Sequence, residues 1–143
     1  MTTVAKGVFF EDLSVGQEAS LSNTVTESVI NAFADVSGDH NPVHVDADYA
    51  AGTMFKERIA HGMLSAAYIS AVFGMKLPGP GAIYISQTLN FKAPVKIGAT
   101  VVTTVRVVEL VPEKKRARFS CVCTGDDKPV VEGEAVLMVP KRP

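Results

Sequence analysis

The chain has 143 residues, 47% hydrophobic and 20% charged, with 14 Lys and Arg against 15 Asp and Glu for a net charge of −1. That balance suits a globular protein, and without a basic excess there is no electrostatic footprint for DNA or RNA. The length fits one domain spanning 1–143, no apolar run reaches the ~20 residues that cross a bilayer, and the opening MTTVAKGVFFEDL lacks the charged-then-apolar order of a signal peptide, so a cytoplasmic protein without a membrane partner is expected.

No internal repeat, low-complexity tract or long Pro/Gly/Ser linker divides the chain. QEASLSNTV reads as an opening strand. In TESVINAFADVSG, Val29, Ile30, Phe33, Ala34 and Ser37 recur at helical spacing, with Thr26 placed to cap the start and Gly38 to end the helix. NPVHVDADYAAG reads as a turn and then a short helix capped by Asp46. HGMLSAAYISAVFGMKL is apolar almost all the way round, which places it inside the molecule with something wrapped about it.

From Ala82 the composition turns to β-branched residues in alternation with polar ones. AIYISQTLNFKAPV, ATVVTTVRVVELV, KRARFSCVCTG and KPVVEGEAVLMVP are four strand candidates with short links, hence an antiparallel sheet. Helices first and strands afterwards argue for an α+β fold, a curved antiparallel sheet around the helix near 62–76. Cys121 and Cys123 are expected on opposite faces of their strand, which makes a mutual disulfide improbable, and two ligands at that spacing make no zinc site.

The stretch SGDHNPVHVD carries the chemistry. Asp39 and His44 lie beyond a helix end, where Gly38 and Pro42 turn the chain tightly, so a carboxylate and an imidazole could face one cavity and hold a water between them. The same residues could equally fold back as a turn cap with a surface histidine. The Asn41 amide could fix the histidine or the water, or simply form an Asn-Pro turn. His40 and Asp46 are bystanders on this reading. Gly62, at the start of the buried helix, could offer a bare N–H and the positive end of the helix dipole to an oxygen that gains charge. Ser70 on the same helix could bond the carbonyl four residues back or hold a carboxylate in place.

Together FEDLSVGQEA, FADVSGDHNPVHVD, ERIAHGMLSAAYIS, LPGPGAIYISQTLNFKAPVKIG and GEAVLMVP resemble the MaoC-like, R-specific enoyl-CoA hydratase family over nearly the whole chain. The D-x-N-P-x-H element with H-G-M downstream is its most specific part. The resemblance implies a single hot-dog domain. It puts the catalytic aspartate on Asp39, the catalytic histidine on His44, the motif asparagine on Asn41, the oxyanion-binding N–H on Gly62 and the active-site serine on Ser70. It also implies reversible addition of water to a trans-2-enoyl-CoA to give the (R)-3-hydroxyacyl-CoA, with no metal or redox cofactor, and a homodimer with the acyl-CoA substrate between subunits.

Coenzyme A phosphates need a local basic cluster in a chain of this net charge, and Lys56, Arg58, Lys92 and Lys96 are the candidates. Phe73, three residues after Ser70 on one helix face, could close an acyl pocket and favour short chains. A hot-dog acyl-CoA thioesterase, a dehydratase acting on acyl carrier protein, and a non-catalytic acyl-CoA-binding subunit remain as rivals.

Overall fold

The computed structural model describes residues 6–143. In chain order the elements are β1 (Glu18–Thr24), α1 (Glu27–Ser37), α2 (Pro42–Val45), α3 (Ala47–Ala51), α4 (Gly62–Met75), β2 (Ile83–Gln87), β3 (Asn90–Phe91), β4 (Thr100–Val111), β5 (Arg116–Gly125) and β6 (Lys128–Met138). The strands form one antiparallel sheet in the order β1-β4-β5-β6-β2, with β3 also on β6. The sheet curves about α4, as the pattern of helices and strands predicts, and this is the hot-dog arrangement that the resemblance implies.

Local chemistry explains the helix boundaries. Thr26 accepts from the Val29 N–H at the start of α1, and Gly38 ends it in the left-handed conformation that favours glycine. Asp46 accepts from both Asp48 and Tyr49 N–H groups and so caps α3. The expected turn before it is itself a helical turn, α2, because Pro42 takes the first helical position and Asn41 Oδ1 accepts from the Val43 N–H.

Period-two patterning builds the core. Val101, Thr103, Val105 and Val107 of β4 alternate inward, as do Ala117, Phe119, Cys121 and Cys123 of β5. They meet Leu64, Ile69, Val72 and Phe73 from the inner side of α4. Full burial of each large aliphatic or aromatic member is worth about 1.5–3 kcal/mol.

Three expectations need correction. Cys121 and Cys123 share the core face, since a spacing of two residues returns a strand to the same side; both are buried and free. Burial pushes the Cys121 thiol up to about 12, although a hydrogen bond from Gln87 opposes it. Secondly, the segment 82–95 is two strands rather than one, and it pairs with β6 instead of the β4 that follows it. The chain bends at Thr88 over Gly133, where a Cβ would stand 1.8 Å from the Thr88 carbonyl oxygen. Only a glycine allows that crossing. Thirdly, the burial of α4 is one-sided: the sheet curves about it as expected, and one face of the helix stays exposed. Met63, Ala67, Ser70 and Gly74 form an exposed stripe at helical spacing, bordered by the apolar edge strand β2 with Ile83, Tyr84 and Ile85 exposed. Among the described residues no helix is long and apolar enough to cross a membrane.

Candidate active site

The segment 39–44 leaves the end of α1 and is bolted onto the segment 58–61 that leads into α4. Four hydrogen bonds make the join: the Ile59 N–H donates to the Val43 carbonyl at 3.2 Å, the Arg58 Nε–H to the His44 carbonyl at 2.6 Å, His61 Nε2 to the Asp39 carbonyl, and His44 Nδ1 lies 2.8 Å from the Ile59 carbonyl. A carbonyl oxygen only accepts, so His44 Nδ1 carries the proton in this contact and Nε2 of the neutral ring is left with its lone pair.

Asp39 stands beside it. Its Oδ1 accepts from the Asn41 N–H at 3.1 Å, and its own N–H donates to Ser37 Oγ at 3.1 Å. The carboxylate is exposed, leaving its second oxygen available. One donor atom each from Asp39, His44 and His61 lies within 4.8 Å of the others. The sequence reading joins Asp39 to His44 but assigns nothing to His61, which is 3% exposed. Its Nε2 donates to the Asp39 carbonyl at 2.8 Å, and its ring stacks on that of His44 at 3.9 Å between centroids. Nδ1 of His61 is buried with no hydrogen-bond partner. The available signal was position: His61 immediately precedes Gly62 in the H-G-M motif.

Two histidines and a carboxylate suggest a metal site. An imidazole ligand places an ion in its own ring plane at about 2.0–2.1 Å, whereas these two rings are stacked and inclined by only 29°, so their lone pairs do not converge on one ion. The donor set does not fit a metal centre.

His44, His61 and Gly62 line a cavity of about 400 Å³ together with Phe55, Phe91 and Lys92. Gly62 is the first residue of α4, and the preceding His61 makes no side-chain cap bond, so the helix start faces the cavity uncapped. Unpaired N–H groups and the positive end of the helix dipole are therefore available there to an anionic oxygen. A Cβ on Gly62 would lie 2.7 Å from the Phe91 ring, so a larger residue would push that ring out of place.

The remaining expected residues separate. Asn41 spends its amide oxygen on capping α2, so it acts on the backbone that carries His44 and not on the ring itself. Ser70 is exposed and stands two turns farther along α4, lining a different pocket of about 150 Å³ with Phe73 and Tyr84. Phe73 is 2% exposed, held edge-on by Tyr84 at 5.5 Å and Phe119 at 5.0 Å, and is thus part of the core while also closing that pocket. Of the four basic candidates, Arg58 is corrected outright. It is 7% exposed and turned inward to Glu27, Asn31 and the His44 carbonyl, so it is not a surface cation. Lys92 lines the cavity, Lys56 is exposed, and Lys96 pairs with Glu57 at 3.7 Å. His40 points instead to Asp35, 3.8 Å away.

Residues 12–130 match the family described as MaoC like domain. The chain is 60% identical to the (R)-specific enoyl-CoA hydratase of Rhodospirillum rubrum, over 94% of this chain and 93% of that protein. It is 51% identical to the 3-hydroxybutyryl-CoA dehydratase of Methylorubrum extorquens, over 94% of this chain and 86% of that one. The unliganded R-hydratase PhaJ1 of Pseudomonas aeruginosa superposes with a TM-score of 0.92 at 47% identity, covering 96% and 89% of the two chains. On this match, extending over most of its length, the chain belongs to the MaoC-like domain family.

Proposed function

We propose that this chain is an (R)-specific enoyl-CoA hydratase, adding water reversibly to trans-2-enoyl-CoA to form the (R)-3-hydroxyacyl-CoA. The observation that carries the reading is the meeting of Asp39 and His44 beside a cavity into which the uncapped start of α4 also opens. The activities for which the relatives at 60% and 51% identity are named support it.

In the proposed reaction the thioester oxygen sits at the Gly62 N–H. The α4 dipole there favours the enolate charge that forms as the β-carbon is attacked, so binding strengthens toward the transition state. A water held between the Asp39 carboxylate and His44 Nε2 supplies hydroxyl to the β-carbon. Its proton passes to the Asp39–His44 pair, which returns a proton to the α-carbon, so one water is consumed and both new bonds form on one face. The step requires neither metal nor redox cofactor. Lys92 and Lys56 are the cations best placed for the coenzyme A phosphates, since Arg58 is committed inside and Lys96 is paired.

A second copy completes the assembly. The stripe Met63, Ala67, Ser70 and Gly74 and the open apolar edge of β2 together form a surface that a homodimer would cover, which removes an unpaired strand edge from solvent. Ser70 then faces the subunit interface, where it acts on the acyl group or on a residue of the other copy. Phe73 closes the small pocket below Ser70, and we assign to it a preference for short acyl chains.

Four outcomes are expected. With crotonyl-CoA, enoyl absorbance should fall without release of free thiol and regardless of chelator; stoichiometric thiol release would make the chain a thioesterase. Asp39→Asn and His44→Ala should each lower kcat by about 10²–10⁴-fold, as loss of a positioned acid–base group does. Rates should decline from four-carbon to six- and ten-carbon enoyl-CoAs, and an equal or higher rate on the longer chains would overturn the role given to Phe73. Sedimentation equilibrium should give twice the mass of one chain, and the mass of a single chain would contradict the dimer.

A further inference from the structure

We propose that Arg58 is a positioning residue for His44, a buried clamp that holds the histidine backbone while the neighbouring Ile59 carbonyl holds its ring. The inference rests on the acid–base role given to His44 above.

All three guanidinium nitrogens are engaged, and in three directions. Nε donates to the His44 carbonyl at 2.6 Å, Nη1 to Glu27 Oε1 at 2.7 Å and Nη2 to Asn31 Oδ1 at 2.6 Å. Glu27 and Asn31 lie one turn apart on α1, so the side chain ties the end of α2 to the first two turns of an 11-residue helix. The need for a tie is physical. A helix of four residues is far below the length at which helical hydrogen bonds hold a segment unaided. Its Asn41 cap stabilises the start, while the end, where His44 sits, has within the helix a single backbone bond from the Asp46 N–H to the Pro42 carbonyl.

The alternatives fit less well. Contact with a coenzyme A phosphate needs an accessible cation, and this guanidinium is 7% exposed. An ordinary stabilising ion pair is a poor description, because Glu27 is 67% exposed and water screens it. A lysine could not reproduce the arrangement, since its point charge on a flexible stem lacks the planar fork that reaches three acceptors at once. The neighbouring residue adds a second constraint: Ile59 accepts from His44 Nδ1 and donates to the Val43 carbonyl. The dipeptide Arg58–Ile59 therefore fixes backbone and ring together. A shift of about 1 Å at a reacting group can cost on the order of 10²-fold in rate.

The test uses full-length Arg58→Met and Arg58→Lys, assayed with crotonyl-CoA and with crotonyl-pantetheine, which lacks the nucleotide phosphates. Arg58→Met should lower kcat by about 10- to 100-fold while KM for both thioesters stays within about threefold, and Arg58→Lys should recover only part of the loss. The hydrogen-bonded Nδ1 proton resonance of His44 should broaden or vanish in Arg58→Met. Wild-type kcat in a folded Arg58→Met protein would overturn the proposal, and so would a rise in KM confined to the CoA ester. Should Arg58→Met not fold, Asn31→Ala removes one arm of the clamp from the exposed side; a fall of about threefold in kcat supports the proposal and an unchanged kcat refutes it. Asp39→Asn measured in parallel separates the two claims. If it retains activity, the hydratase reading of the site fails, whereas if it is inactive while Arg58→Met is not, only the clamp fails.

Discussion

Two backbone carbonyls hold the two stacked histidines of the site in order. That of Ile59 takes the Nδ1 proton of His44 and leaves Nε2 with a lone pair, and that of Asp39 takes the Nε2 proton of His61. Backbone acceptors cannot change protonation state, so the tautomers they select persist through a proton-transfer cycle. The stacking of His61 on His44 restrains the second ring from its face. The proposed acid–base chemistry at Asp39 and His44 starts from side chains whose freedom the protein has already restricted. The orphan Nδ1 of His61 is the cost of that arrangement: a buried acceptor is left unpaired so that the other nitrogen can hold the Asp39 backbone.

The other half of the site comes from a helix that leaves its own first turn uncapped. At α1 and α3 the chain uses Thr26 and Asp46 as caps, yet at α4 it places His61 in the cap position with its side chain turned elsewhere. An uncapped helix start is less stable, by about 0.5–2 kcal/mol relative to a good cap. Here the unused donors face a cavity, which is where an oxygen gaining charge would sit in the proposed reaction. Gly62 keeps that approach open against the Phe91 ring.

Much of this was legible in the sequence, and the parts that were not share a cause. The caps and bounds of α1, the inward alternation of β4 and β5 and the buried character of α4 follow from local rules that depend on a few neighbouring residues. That Asp39 and His44 come together was readable because they are close along the chain. His61 and Arg58 were not, because their roles are set by contacts with residues 14 to 31 positions away, among them the His44 carbonyl, Glu27 and Asn31. Arg58 looked like a surface cation because charge type says nothing about burial. The placing of Cys121 and Cys123 on opposite faces was an error of period. The exposed stripe on α4 was hidden for another reason, since a helix that is apolar all round does not reveal whether its own sheet or a second copy covers each side.

In the proposed reaction Asp39 and His44 act as one unit on a single water, delivering hydroxyl and proton to the same face of the double bond. Hydration of crotonyl-CoA in deuterium oxide, followed by NMR of the recovered 3-hydroxybutyryl group, reads this directly. One diastereomer is expected, with deuterium at the α-carbon on the same face as the hydroxyl at the β-carbon. Deuterium on the opposite face, or divided between the two, would contradict it.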